Sequence, residues 1–402
     1  TPAADKDLIS RCVCIKLNGG LGTSMGLQKA KSLLKVKGED TFLDLIVRQV
    51  KHLRSISGTP VRLLLMNSFS TSADTLAYLE KYAADGFADR AEVELLQNRV
   101  PKILADGLSP AICPEQPELE WCPPGHGDLY PALLGSGWLD RLLADGVKYA
   151  FVSNSDNLGA QLDMNFLRWF EESGAPFVME VTRRTEADRK GGHLAVRKSD
   201  GQLILREVAQ CPDEDIPEFQ NISRHRYFNT NTLWIRLDAL KEILDANGGV
   251  LPLPMIRNKK TLNPRDPESA PVYQLETAMG AGIECFPGAR AVNVPRSRFF
   301  PVKTTSDLFL LRSDAIAVDE HGNVALAPER QGNTPVVDLD SKLYKLVDSL
   351  DGLGLPSLIG MDKLTLRGRF HFQDGAVLRG TLLMENDSDE TKEILPGVYA
   401  GA

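Results

Sequence analysis

No stretch of the 402-residue sequence comes near the ~20 consecutive apolar residues that a membrane-spanning helix needs, so no membrane partner is expected. Cysteine is scarce and scattered. The six, Cys12, Cys14, Cys113, Cys122, Cys211 and Cys285, make no CxxC pair and no His/Cys spacing of a zinc site. Cys12 and Cys14 stand two apart in an apolar run, share one face of a strand, and read as small packing hydrophobes. The cytoplasm is the expected compartment. A basic excess is missing as well: 46 Lys and Arg face 54 Asp and Glu, for a formal charge of −8. Nucleic-acid binding draws on basic surfaces that release counterions, so a nucleic-acid partner is not expected either. A local basic pocket for a phosphorylated small molecule stays open. Thr1 to Asp7 carries no apolar leader segment, and no low-complexity linker interrupts the chain.

What the sequence does hold is an alternation of strand-like and helix-like segments. Residues 12–17, 61–66 and 147–153 are short apolar runs that read as strands. Between them, Phe42, Leu45, Ile46, Val50 and Leu53 recur at helical spacing behind a Thr41 cap, and 72–82 and a stretch ending near Trp169 and Phe170 are also helical. Strands separated by helices of this length imply crossover units, hence an α/β fold with a mostly parallel sheet and helices on both faces. Near residue 318 the texture changes. Residues 336–350 read as one helix. Residues 362–384 alternate apolar and polar, with turns at Gly368, Asp374–Gly375 and Gly380, which suggests a β-solenoid or a small sheet. The expected organisation is a first domain over 1–317 and a C-terminal one over 318–402.

The strongest local signal is the run Leu17-Asn18-Gly19-Gly20-Leu21-Gly22-Thr23-Ser24-Met25-Gly26, directly after the first strand. Glycine lets backbone N–H groups approach a ligand closely, and a loop at the carboxyl end of a parallel strand is where open α/β sheets bind. The run is neither GxxxxGK[ST], since Leu27 follows Gly26, nor GxGxxG, since Met25 stands in the closing place. A nucleotide loop and a structural turn both remain open on this ground. Lys31 follows five residues later, flanked by Lys29 and Lys35, and either reaches a polyphosphate or is a solvated helix lysine. Pro123-Pro124-Gly125-His126-Gly127-Asp128 is a stiff loop that presents something or merely connects. Asp156, in Ser153-Asn154-Ser155-Asp156-Asn157, sits past a strand end, placed either to hold Mg²⁺ together with substrate phosphates or to cap a turn. Asn229, Thr230 and Asn231 offer amides and a hydroxyl suited to sugar hydroxyls, and Lys303 follows an aromatic extended stretch.

Taken in order, LNGGLGTSMG, Gln97 with Val100-Pro101-Lys102, PPGHGD, SNSDNLGA, MEVT with KGG, REVAQ, FNTN and FFPVKTTSDL resemble the UDP-glucose pyrophosphorylases. The likeness covers about residues 8–315 and is weaker in the C-terminal strands. It implies a Rossmann-like nucleotidyltransferase domain followed by a small left-handed β-helix, and a reversible, Mg²⁺-dependent reaction of UTP with glucose 1-phosphate that yields UDP-glucose and pyrophosphate. On that resemblance, Leu17, Asn18, Gly19 and Gly20 lie against UTP, Gln97 and Gly125 read the uracil, and Asn154 touches the nucleotide. His126 meets the sugar phosphate; Gly192, Glu207, Asn229, Thr230 and Asn231 bind the hexose. Lys31 holds the departing pyrophosphate, Lys303 bridges phosphates at the reacting centre, and Asp156 holds Mg²⁺. A monomer or homodimer is expected.

The chain departs from the family pattern at Lys29-Ala30, where Gly-Pro is usual, at His193 after KGG, and at Thr232 after FNTN. The alternatives are the same chemistry on another or a broader set of sugar 1-phosphates, and a non-catalytic nucleotide-sugar binder.

Overall fold

The structure, a computed structural model, describes residues 2–264 and 266–401. The chain divides into two compact units. One is formed by the residues up to Gly19 with Arg54–Asn154 and Leu162–Arg296; the other by Gly20–Leu53, Ser155–Gln161 and the residues from Ser297 onward.

The first unit is built on strands β1 (Cys12–Asn18), β2 (Arg62–Asn67), β3 (Glu94–Leu96), β4 (Tyr149–Asn154), β5 (Phe177–Arg183), β6 (His193–Val196), β7 (Leu203–Arg206) and β8 (Tyr227–Arg236). They are followed by a hairpin of β9 (Met255–Thr261) and β10 (Pro271–Thr277), and by β11 (Arg290–Asn293). Among the described residues β1–β8 and β11 make one nine-stranded sheet in the order β7-β6-β8-β4-β1-β2-β3, with β5 joined to β8 and β11. β1 pairs in parallel with β2 and β4, β2 with β3, and β5 with β11. β8 runs against β4 and β5, and β7 against β6, so the sheet is mostly parallel in direction with two reversed strands. The central strands are buried on both faces: Val13, Ile15, Leu64, Ala150 and Val152 are inaccessible on one, and Leu63, Leu65 and Phe151 are buried on the other, as expected of parallel strands covered by helices. Those helices include Leu129–Gly135, Trp138–Ala144 and Leu237–Ala246, whose leucines close over the same core. Cys12 and Cys14 lie buried in this unit as free thiols, and burial pushes Cys14 up to about 11. Their role is packing.

The second unit holds most of the helix Phe42–Ser57, opened by a reciprocal cap in which Thr41 N and Oγ1 donate to Asp44 Oδ2 at 2.8 and 2.9 Å. Asp44 N donates in return to Thr41 Oγ1 at 3.2 Å. Toward the C-terminus come β12 (Val336–Asp338), β13 (Ser357–Arg367), β14 (Phe370–Phe372), β15 (Ala376–Glu385), β16 (Lys392–Ile394) and β17 (Gly397–Ala400). Every pairing among them is parallel: β12-β13-β15-β17 in one sheet and β14 with β16 in another.

The strands expected at 12–17, 61–66 and 147–153 are β1, β2 and β4, displaced by no more than two residues at either end. The helix expected over 72–82 is α-helical only over Ser72–Leu79 and tightens to 3₁₀ over Glu80–Asp85. The helix expected over 336–350 is not there. Val336–Asp338 instead pairs with Lys363–Thr365, and a short 3₁₀ turn covers Val347–Leu350. Two bonds, one local and one to a residue 29 positions away, defeat the helical spacing. Asp340 folds its carboxylate onto Lys342 N at 3.0 Å, a turn that competes with helix, and Arg367 holds Asp338 at 2.6 Å.

Candidate active site

In the first unit Asn18 and Asn154 close β1 and β4, and Gln97 and Glu207 follow β3 and β7, so these four expected residues stand at carboxyl ends of strands. Asn18 ends β1 and is almost wholly buried; its Nδ2 donates to Asn67 Oδ1 at 2.7 Å and to Thr75 Oγ1 at 2.9 Å. Next to it, the Gly19 carbonyl accepts from Ser68 Oγ at 2.8 Å. Gln97 Nε2 donates to the Gly125 carbonyl at 2.7 Å, so two residues 28 apart in sequence stand together. His126 Nδ1 accepts from Met279 N at 3.0 Å. Leu17 packs partly buried against the core.

The FNTN segment owes its shape to a register shift. Across from β8, Glu180 pairs with Thr232 but the next residue, Val181, pairs with Asn229, so Thr230 and Asn231 form a bulge. Asn231 takes φ +60°, a left-handed conformation that Asn tolerates better than most residues. Its N–H donates to Asn229 Oδ1 at 2.8 Å and its Nδ2 donates to Asn154 Oδ1 at 2.8 Å. Thus Asn154, Asn229 and Asn231 are brought together. Thr230 is turned the other way: its hydroxyl donates to the Glu180 carbonyl inside the sheet at 2.8 Å. Gly192 lies against Glu207 so closely that a Cβ there would stand 2.5 Å from Glu207 Oε1. Burial raises the Glu207 carboxyl above its usual range.

In the second unit three charged residues meet. The backbone explains why: segment Ser155–Gln161 is stitched to 297–303, with Val302 N donating to the Asp156 carbonyl at 3.2 Å and Phe300 N to Asn157 Oδ1 at 2.9 Å. Lys31 N closes the glycine loop by donating to the Gly20 carbonyl at 3.0 Å. Lys31 Nζ then donates to Asp156 Oδ2 at 2.6 Å and to the Val302 carbonyl, while Lys303 Nζ donates to the same Asp156 oxygen at 2.9 Å. Burial alone would raise the Asp156 carboxyl, but Lys303 and Lys31 override it and hold the group below its usual range. The other oxygen, Oδ1, is buried without a hydrogen-bond partner. Among the described residues no group of three or more His, Cys, Asp or Glu converges.

Lys303 is anchored by the helix Thr305–Arg312. Asp307 Oδ2 accepts from Lys303 N, Thr304 N and Thr304 Oγ1 at 2.8, 2.8 and 3.0 Å, and Thr304 Oγ1 accepts from Asp307 N. At the far end of that helix Lys37 Nζ donates to the carbonyls of Ser313 and Ile316, each at 2.6 Å. Sequence reasoning missed Asp307, although Thr304-x-x-Asp307 is the spacing of a capping box. It missed Asn67, the partner of Asn18, as well, and Asn67 stands in no motif that could have flagged it.

Among the described residues no helix is long and apolar enough to cross a membrane. A family model described as UTP–glucose-1-phosphate uridylyltransferase matches residues 1–379. The chain is 44% identical over 379 residues to the UTP–glucose-1-phosphate uridylyltransferase of Saccharomyces cerevisiae, covering 94% of this chain and 74% of that one. It is 41% identical to the enzyme of that name from Solanum tuberosum, covering 98% and 81%. Among solved structures, a UDP-glucose pyrophosphorylase variant from Leishmania major in complex with UDP-glucose is 47% identical with a TM-score of 0.91, covering 98% of this chain and 87% of that one. A UDP-glucose phosphorylase from Trypanosoma brucei gives 47% and 0.90, covering 98% and 86%. Agreement of this extent, in sequence and in backbone, places the chain in the UTP–glucose-1-phosphate uridylyltransferase family.

Proposed function

We propose that the protein transfers the uridylyl group of UTP to glucose 1-phosphate, giving UDP-glucose and pyrophosphate, by direct attack of a sugar-phosphate oxygen on the α-phosphorus. The observation that carries this reading is the convergence of Lys31 and Lys303 on one oxygen of Asp156. A protein that only binds a nucleotide sugar has no need of two cations gathered on one buried carboxylate.

The chemistry accounts for the residue types. The attacking phosphate is already ionised at neutral pH, so no general base is required and catalysis is alignment and charge neutralisation. The main barrier is bringing two polyanions together. Lys303 neutralises the phosphates at the reacting centre and Lys31 the departing pyrophosphate. Lys303 is half exposed and free to swing from Asp156 to a phosphate, whereas Lys31 is more enclosed. Gln97 with Gly125, Asn154 and the backbone of Leu17–Gly20 take the nucleotide. His126 meets the sugar phosphate, and Gly192, Glu207, Asn229 and Asn231 take the hexose; Thr230 serves by holding the bulge.

Asp156 fits Mg²⁺ through its buried and unpartnered Oδ1. Mg²⁺ takes one or two carboxylates plus substrate phosphates, and when bound it supplies further neutralisation of phosphate charge. Asp156 keeps the two lysines and that acceptor oxygen in one place.

We read the C-terminal strands as a short left-handed β-helix, so that the functional division is 1–317 and 318–402. The reading is supported by all-parallel pairing and by a buried row of Leu358, Met361, Leu364, Leu366 and Leu378. We assign the protein to the cytoplasm, in keeping with free cysteines throughout, and to a monomeric or homodimeric state. The test of function is pyrophosphate release from UTP and Mg²⁺ with glucose 1-phosphate, galactose 1-phosphate or N-acetylglucosamine 1-phosphate. Release with glucose 1-phosphate is expected. Preference for another sugar would move the substrate claim, and UTP binding with no release from any sugar would leave a binder.

A further inference from the structure

A buried polar chain runs from the first residue of β3 to the carboxyl ends of β2 and β1 and ends on an acceptor with no partner. Glu94, the first residue of β3, has a side chain only 2% exposed. Its Oε1 accepts from Asn67 Nδ2 at 2.9 Å and from Ser72 Oγ at 2.5 Å, and its Oε2 from Arg90 Nε at 2.6 Å. Asn67, at the end of β2, accepts on Oδ1 from Asn18 Nδ2 at 2.7 Å. Asn18, at the end of β1, donates its other amide hydrogen to Thr75 Oγ1 at 2.9 Å. That leaves Asn18 Oδ1, buried, with no hydrogen-bond partner.

The direction of this chain is not arbitrary. An asparagine amide can turn over and exchange donor for acceptor, but an ionised carboxylate only accepts. With Glu94 at one end, Asn67 must point its NH₂ at Glu94 and its oxygen at Asn18. Asn18 must then point its NH₂ at Asn67, which leaves its own oxygen facing away. An unmade bond on a buried acceptor costs free energy that a ligand donor can recover.

We infer that Glu94 is a positioning residue for the nucleotide: through Asn67 it fixes Asn18 as a hydrogen-bond acceptor, and Asn18 Oδ1 receives a donor of the bound nucleoside. The inference rests on UTP as the nucleotide. UTP offers donors of two kinds, the N3–H of the uracil and the ribose hydroxyls. Glu94 itself does not touch substrate.

The test is UTP affinity by calorimetry, with thermal unfolding of each variant recorded alongside. In the wild-type protein, either N3-methyl-UTP or 2′-deoxy-UTP binds about tenfold more weakly than UTP, and this arm needs no variant to fold. Glu94→Gln, whose amide can face Asn67 with either end, weakens UTP about tenfold and shrinks the penalty of the discriminated analogue. The double variant Glu94→Gln with Asn67→Asp moves the acceptor-only group one step along the chain. There it accepts from both the new amide at position 94 and Asn18, and it restores UTP affinity. A merely structural role for Glu94 predicts no such recovery. Equal UTP affinity in wild type and Glu94→Gln, no discrimination against either analogue, or a double variant as weak as the single one would each overturn the relay. A wild-type protein that binds no UTP would instead sink the nucleotide reading on which the relay stands.

Discussion

Lys303 donates to Asp156 Oδ2 at 2.9 Å, and it does so on the oxygen that already takes Lys31 at 2.6 Å. One carboxylate oxygen therefore gathers two cations while its twin stays unpartnered and buried. On the proposed function, substrate phosphate oxygens compete with this carboxylate oxygen for the two lysines.

Replacing Lys303 by Met should cripple turnover more than it weakens binding. Removal of one preorganised donor at a reacting centre lowers kcat by about 10²–10³, while UTP affinity should change only a few-fold. Steady-state kinetics beside calorimetry reads both. Near-normal turnover would remove Lys303 from the mechanism.

Asp307→Ala tests how Lys303 is held. Loss of the cap should cost about 1 kcal/mol of stability and lower kcat roughly tenfold, since three bonds to Asp307 fix the backbone at Lys303 and Thr304. Asp307→Asn, which keeps an acceptor, should recover most of the stability. If kcat stays at the wild-type level while stability drops, the helix cap has no part in placing the lysine.

Gly125 and Gly192 should fail in different ways. Gly125 holds φ +81°, and a Cβ there would meet the Thr277 carbonyl oxygen at 2.4 Å, so Gly125→Ala should destabilise the protein by roughly 2–4 kcal/mol. At Gly192 the obstacle is the Glu207 side chain, which can shift. Gly192→Ala should leave the unfolding temperature nearly unchanged and raise KM for the sugar phosphate. Urea titrations and sugar-phosphate kinetics separate the two cases.

His193 should make stability depend on pH. It is wholly buried, stacked on His225 at 4.0 Å and beside Phe219. Burial lowers its pKa from 6.5 to about 4, with His225, Arg184 and Arg206 adding to the effect. The unfolded chain takes up a proton on this group near pH 6.5 and the folded one only near 4, so stability falls as the pH drops through that window. Between pH 7 and pH 5 the loss from this residue should be about 2 kcal/mol. His193→Phe, which also removes the unpartnered Nε2, should shrink the drop by that amount in urea titrations at the two pH values. An unchanged drop would clear His193 of the effect.

How much of this was legible in the sequence follows from how local each determinant is. The β1 strand, the glycine loop and the capped helix behind Thr41 are set by neighbours in sequence, and periodicity found them. The segment 336–350 has helical spacing, but the bonds of Asp338 and Asp340 to Arg367 and Gly368, about thirty residues away, decide its backbone. Spacing cannot register such partners. The same holds for the site. Family resemblance supplied Lys31, Asp156 and Lys303, and the structure adds that they share one oxygen. It also turned Thr230 inward, because the bulge across from Glu180 and Val181 depends on the partner strand. Glu94 carries no motif, and only its bonds through Asn67 to Asn18 give it a role.

The most direct measurement is the stereochemistry of transfer. UTP made chiral with sulfur at the α-phosphorus would be turned over with glucose 1-phosphate and the product's configuration read by phosphorus NMR. A single in-line displacement predicts UDP-glucose thiophosphate with inverted configuration at that phosphorus. Retention would mean two displacements through an enzyme-bound uridylyl group and would contradict the direct attack proposed for this site.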